Sequence, residues 1–288
     1  MIWLWCTRII WALLPVTTGT ALTDATDSWS RAPARTAELI LWALWAVGLF
    51  GLFAPRPWAL TVLRIVAPCA FAVAVLSVTS TSAASALLAV AGSGFAAAAA
   101  LSAPVAAASA NALAYGDEQR FTLRVPMPLL LGPVPVAVVV VALGATTGPL
   151  LLADGRIFVG IVATLVGLPL AALVVRSLHP LSCRWFVLVP AGIAIADPLT
   201  LTEPVLVPRD HIGAARRTTS AALGEGALDL RLGTLAGGIV LDLAEPVEFG
   251  RRRGRGNSEV VEPNRIAVAV VRADAALAQA RTRRIEVA

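Results

Sequence analysis

A bundle of about six transmembrane helices followed by a small C-terminal β-rich barrel or sandwich with a terminal helix is the fold class the sequence predicts, on three observations. First, 58% of the 288 residues are hydrophobic and only 14% are charged, against roughly 45–50% and about 25% in soluble globular domains. Second, six apolar runs approach or exceed the roughly 20 residues that a helix needs to cross a bilayer. Third, charge is unevenly placed: residues 1–175 hold eight Arg against six acids, and residues 176–288 hold fifteen Arg against twelve acids. The composition excludes an ordinary soluble enzyme and a disordered chain. Every cation other than His is arginine, which reflects a GC-rich coding bias rather than selection for guanidinium chemistry.

The predicted spans are Ile9–Leu22, Leu39–Ala54 with its flanks, Trp58–Val78, Ala83–Ala114, Leu129–Leu152 and Ile157–Val175. The first is short, but Trp3, Trp5 and Trp11 supply an aromatic belt. Pro15 within it predicts a kink, because its ring nitrogen leaves a carbonyl unpaired. The competing reading, a secretory signal peptide, lacks a basic leader and a clean small-x-small cleavage site. Arginines in the loops set the orientation. With the N-terminus inside, Arg8, Arg56, Arg120, Arg124, Arg176 and Arg184 fall on the cytoplasmic side, and Arg31, Arg35 and Arg156 outside. The chain is therefore expected in the cell membrane, multi-pass, with both termini cytoplasmic.

No Asp, Glu or His lies deep in a predicted span, whereas ion-coupled transporters usually keep such a group. Arg64 is the one charge inside a span and is close enough to its end to snorkel. Gly92, Ser93, Gly94 and the tract Ala96–Ala100 predict close helix packing. The fifth span opens on Met127–Pro128 and holds Gly132, Pro133 and Pro135. It reads as a bent helix end, with the broken helix of a transporter site as the alternative. The polar loop before it, 115–124, places Asp117 and Glu118 beside Arg120 and Arg124. These four residues are read as a helix cap or a domain-docking loop; an acid–base pair is disfavoured because both arginines would keep the carboxylates ionised.

The domain division expected is 1–178 for the helices and 179–288 for a cytoplasmic β-rich domain. Arg184–Val189 and Ile193–Ala196 flank a tight turn, and further strands are expected at Pro204–Val207, Ala227–Leu232, Gly238–Leu243, Pro246–Phe249 and Arg265–Val271. Asp274–Arg284 reads as a helix with an apolar stripe.

The stretches 184–198 (RWFVLVPAGIAIADP) and 203–210 (EPVLVPRD), with Trp11–Val16 and the Tyr115-Gly-Asp-Glu loop, resemble a family of uncharacterised actinobacterial multi-pass integral membrane proteins. The tail is more loosely similar, in strand order and terminal helix, to bacterial pleckstrin-homology-like domains. Neither resemblance implies a known activity, and both are consistent with a membrane-anchored binding or scaffolding module.

The densest charge lies at Arg251, Arg252, Arg253 and Arg255. Three readings stand: a solvated hairpin tip, a contact for anionic lipid or an acidic partner, and nucleic acid, which is disfavoured for want of interleaved aromatics. Cys6, Cys69 and Cys183 are far apart and the only histidines are His179 and His211, so no metal, cofactor or disulfide framework is expected. Phosphate-loop, zinc-protease and nucleophile-elbow motifs are absent. The function expected is a membrane-anchored binding or scaffolding protein whose cytoplasmic domain recruits a protein partner or contacts anionic lipid. The alternative is a six-helix transporter of a small or lipidic substrate with a regulatory tail.

Overall fold

The computed structural model describes residues 2–254 and 256–288. The chain forms two compact units, one made of Met1–Ser109 and Val134–His179, the other of Ala110–Pro133 and Pro180–Ala288. Among the described residues six helices are long and apolar enough to cross a membrane: Ile2–Thr26, Arg31–Phe53, Pro57–Ser80, Ala83–Ala100, Met127–Ala153 and Ile157–Ser182.

The first candidate span is two helices, α1 (Ile2–Ala12) and α2 (Leu14–Thr26). Pro15 sits at the start of α2 and cannot donate to the carbonyl four residues earlier, that of Trp11. The indole Nε1 of Trp45, on α3 (Arg31–Phe53), donates to that carbonyl instead, at 3.0 Å. Trp11 returns the bond, its Nε1 donating to the Trp45 carbonyl at 2.9 Å. Gly48 makes room for this exchange, because a Cβ there would lie 2.2 Å from the Trp11 ring. At the other end of the same helix pair, Arg8 donates to the Leu52 carbonyl and lies 4.7 Å from the centroids of both Trp5 and Phe53.

Helix α4 (Pro57–Leu76) packs on α3, and α5 (Ala83–Ala100) packs on α2 and α4. On α5 the buried positions Ala86, Ala89, Ser93, Ala96, Ala97 and Ala100 recur at helical spacing. Gly92 meets Thr17 and Gly94 meets Phe71, so the small-residue tract packs helices together. The run expected to continue to Ala114 stops at Leu101, and a separate short helix, α6 (Ala103–Asn111), follows. The fifth candidate span breaks at Gly132 into α7 (Met127–Leu131) and α8 (Pro133–Ala153). Helix α9 (Ile157–Leu178) lies against α8 along a seam of small residues, with Gly144 against Gly167 and Gly148 against Thr164. His179, after α9, stacks on Trp58 at 3.5 Å and lies 3.0 Å from the Thr61 hydroxyl, both on α4.

The second unit is sheet-rich. Strands β1 (Gln119–Thr122), β2 (Trp185–Val189), β3 (Gly192–Ala196) and β4 (Val205–Pro208) form one antiparallel sheet in that order. A second sheet has the order β5 (Ile212–Thr218), β7 (Gly238–Leu243), β10 (Arg265–Ala269), β6 (Ala227–Asp229), with only the β10–β6 pairing parallel. Strands β8 (Phe249–Arg252) and β9 (Ser258–Val261) make a separate hairpin, and α10 (Ala273–Thr282) is the terminal helix. Phe186, Ile193, Ile195, Ile239, Ile266, Val268 and Leu277 share one core. Among the described residues one bridge, between Leu123 and Val270, joins the two four-stranded sheets, which do not close into a barrel.

The segment read as a loop at 115–124 therefore supplies an edge strand. Residues 110–133 belong to the sheet-rich unit, whose two stretches of chain are separated by the α8–α9 hairpin.

Candidate functional site

Chemistry-bearing side chains in the sheet-rich unit fall into a buried ion pair, an arginine-anchored strand edge, a groove and a basic hairpin. The ion pair joins Arg184, just before β2, to Asp197, just after β3. Two parallel bonds of 2.7 Å link the guanidinium and the carboxylate, and the residues are 2% and 1% exposed. Arg184 also donates to the Arg124 carbonyl at 2.6 Å and towards that of Leu230 at 3.4 Å. Asp197 accepts from the Leu199 amide. One guanidinium thus ties together residues flanking β1, β2, β3 and β6. Such a pair must be fully bonded to offset its desolvation.

Arg231, also buried, bonds Asp229 and the carbonyls of Ser220 and Ala221, holding down the segment before β6. Burial pushes the Asp229 carboxyl up, but the bonds from Arg231 and the nearby charge of Arg251 outweigh it and hold the group below its usual range. The same balance holds at Asp242 on β7, bonded by Arg216 and Arg265 at 3.0 and 2.5 Å. A carboxyl whose folded value is depressed contributes stability above its unfolded pKa of about 3.9, and that contribution disappears as pH falls through the folded value. Circular-dichroism melts of the full chain in neutral detergent are therefore expected to lose midpoint temperature below about pH 4. Asp242→Asn should flatten that loss; an unchanged slope would dissociate Asp242 from acid sensitivity.

The four residues of the 115–124 segment have separate tasks. Glu118 accepts from Arg120 at 2.6 Å and from the Tyr115 amide, and the Arg120 bond holds its carboxyl below the usual range. Arg120 lies 4.7 Å from the Trp185 ring centroid, and its backbone is clamped on both sides by the Asn111 amide. Arg124 gives its carbonyl to Arg184. Asp117 accepts through its backbone carbonyl from Arg283. This arrangement fixes a strand edge and leaves no carboxylate pair free for proton transfer.

Beside that edge lies an open groove of about 550 Å³, lined by Asp117, Glu118 and Gln119 on one side and by Gln279, Thr282, Arg283 and Arg284 on the other, with Arg209 and Pro190 completing it. Among the described residues, neither Arg209 nor Arg284 forms an ion pair. Arg284 holds its backbone at φ 60°, just beyond the last turn of α10. A non-glycine residue in that region is costly and often marks a functional position.

The basic run is less available than its sequence suggests. Arg253 pairs with Glu259 at 2.6 Å, Arg252 donates to the Leu201 carbonyl at 2.8 Å, and Arg251 stands opposite Glu259 while contributing its charge to Asp229. Arg255 lies outside the described residues. Sequence reasoning missed the arginines of the groove because they are dispersed at 209 and 283–284; only the fold brings them together.

In the helical unit, a cavity of about 410 Å³ lies among α1, α2, α3, α4 and α5, with Trp11, Leu22, Trp45 and Val66 in its walls and Arg31, Arg35 and Glu38 at one end. Among the described residues no group of three or more His, Cys, Asp or Glu side chains is placed to hold a metal ion. Compared with known protein families, with curated proteins and with solved structures, the chain finds no match.

Proposed function

We propose that the protein is a membrane-anchored binding module. In this reading the six apolar helices hold it in the cell membrane with both termini in the cytoplasm, and the sheet-rich unit recruits an acidic segment of a protein partner. The carrying observation is the groove that presents Arg209, Arg283 and Arg284 together, none of them in an ion pair among the described residues. Cationic side chains outside ion pairs steer an oppositely charged partner and fix its register more than they raise raw affinity. Gln119, Gln279 and Thr282 add hydrogen-bonding groups around them.

The test uses the full chain in neutral detergent and a fluorescein-labelled Glu-rich peptide followed by anisotropy. Binding should weaken with salt, and Arg209→Gln with Arg284→Gln should weaken it about tenfold or more. If the double variant binds as wild type does, the groove is not the site. If the full chain in neutral nanodiscs instead binds vesicles containing phosphatidylglycerol and ignores the peptide, lipid contact replaces partner recruitment.

A second reading, movement of a small or lipidic substrate by the helices, has one observation in its favour, the cavity of about 410 Å³. Exchange of a labelled lipid between leaflets by the reconstituted chain would carry it; absence of exchange leaves the cavity as a binding site only.

A further inference from the structure

The cavity of the helical unit has an uneven lining. Its polar atoms are spent inside the helices: the Thr18 hydroxyl donates to the Leu14 carbonyl at 2.7 Å, and that of Ser93 to Ala89 at 2.6 Å. The indole nitrogens of Trp11 and Trp45 are bonded to each other's carbonyls. A polar solute would find few hydrogen-bonding groups there, and burying it would be costly. A hydrocarbon chain needs none, and the volume lies within the range of known small-molecule sites, about 300–1,000 Å³.

The end of the cavity is different. Arg31 and Arg35 are one turn apart on α3 and therefore share a face, and both are exposed. Among the described residues neither forms an ion pair. Among the described residues that line the cavity, Glu38 is the one carboxylate. Two cations against one anion, at the mouth of an apolar pocket, complement a molecule with a negative head and an oily tail.

We propose that this cavity binds one acyl lipid, its chain among Trp11, Leu22, Trp45 and Val66 and its anionic headgroup against Arg31 and Arg35. The proposal rests on the helices lying in a bilayer and is independent of what the sheet-rich unit recruits. Lipid in this site would be retained through purification, unlike the exchanging lipid around the bundle.

Gly19 gives the decisive variant. It lines the cavity, and a Cβ placed there would meet nothing within 4 Å. Gly19→Phe therefore starts its side chain in open space and adds bulk at the cavity wall. Native mass spectrometry of the full chain in detergent, titrated with phosphatidylglycerol or phosphatidylcholine, reads the outcome. Wild type should hold one saturable phosphatidylglycerol, with a roughly tenfold preference over phosphatidylcholine, as expected for two arginines near an anionic headgroup. Gly19→Phe should lose the retained lipid at unchanged helix content. Arg31→Gln with Arg35→Gln, which alters only exposed side chains, should keep a lipid but lose the preference.

Equal binding of the two lipids by wild type, or the same retained lipid in Gly19→Phe, overturns the proposal. Should Gly19→Phe fail to fold, the arginine pair alone decides: an unchanged preference overturns it. Release of the wild-type chain from membranes by alkaline carbonate would overturn the bilayer reading as well, and separates the two failures.

Discussion

Replacing Arg184 with methionine is expected to destabilise the sheet-rich unit by about 3–5 kcal/mol, because it strands the buried Asp197 carboxylate, whose one ion-pair partner among the described residues is Arg184. The loss is larger than that of an average hydrogen bond, about 1 kcal/mol, because the surviving buried charge keeps only the Leu199 amide as a bonded partner among the described residues. It also removes the donors to the carbonyls of Arg124 and Leu230, so the edge formed by β1 and the end of β6 loosen together. Limited proteolysis of the full chain in detergent, read as cleavage within 180–288 under low urea, checks this. Cleavage should accelerate by roughly a hundredfold or more, given a tenfold change for each 1.4 kcal/mol. Arg184→Met combined with Asp197→Leu should recover most of the loss, since an apolar pair of similar volume often substitutes for a buried ion pair without penalty. If the single variant is cleaved at the wild-type rate, the pair is not what holds the four strands in place.

The second large effect is expected in the helical unit. Trp45→Phe should cost about 1–3 kcal/mol, because the Trp11 carbonyl, left without an intrahelical donor by Pro15, then has no partner. Pro15→Ala supplies an amide at the required position. A thermal-melt cycle of wild type, both single variants and the double variant isolates the link: Trp45→Phe should cost markedly less in the Pro15→Ala background. Equal costs in both backgrounds would mean that the indole stabilises by packing alone.

The two ends of the argument were unequally legible in the sequence. Apolar length alone located the six helices, since crossing a bilayer demands a run that no other structure requires. The β2–β3 hairpin and α10 were equally plain from their periods. Strands β1, β5 and β9 were not, because each is an edge or hairpin strand with few buried apolar positions. In β5 only Ile212 and Ala215 are buried, and Arg216 and Arg217 obscure any alternation. The break after Ala100 was hidden by a run of alanines that favours helix on both sides.

The Arg184–Asp197 pair did leave a signal. In the hairpin Trp185 faces Ala196, so the residues flanking them, Arg184 and Asp197, must face each other as well. An opposite-charge pair bracketing an apolar hairpin follows from the register alone. By contrast, the contact between Trp45 and the Trp11 carbonyl carries no periodic signature, and the groove arginines meet only once β4, α10 and the 115–124 segment are in place.

The insertion of the α8–α9 hairpin between the two stretches of the sheet-rich unit also has a consequence for synthesis. Strand β1 leaves the ribosome about 70 residues before the β2 segment to which it is zippered, Gln119 against Leu188. At typical elongation rates the delay is roughly 4–14 s. During it, Phe121 and Leu123, both buried in the finished sheet, have no core to enter. Nascent chains halted before residue 185 would thus display a sticky, unpaired strand next to a helix pair that has yet to be completed. The earliest-made strand is thus the one that waits through the most synthesis for its neighbour.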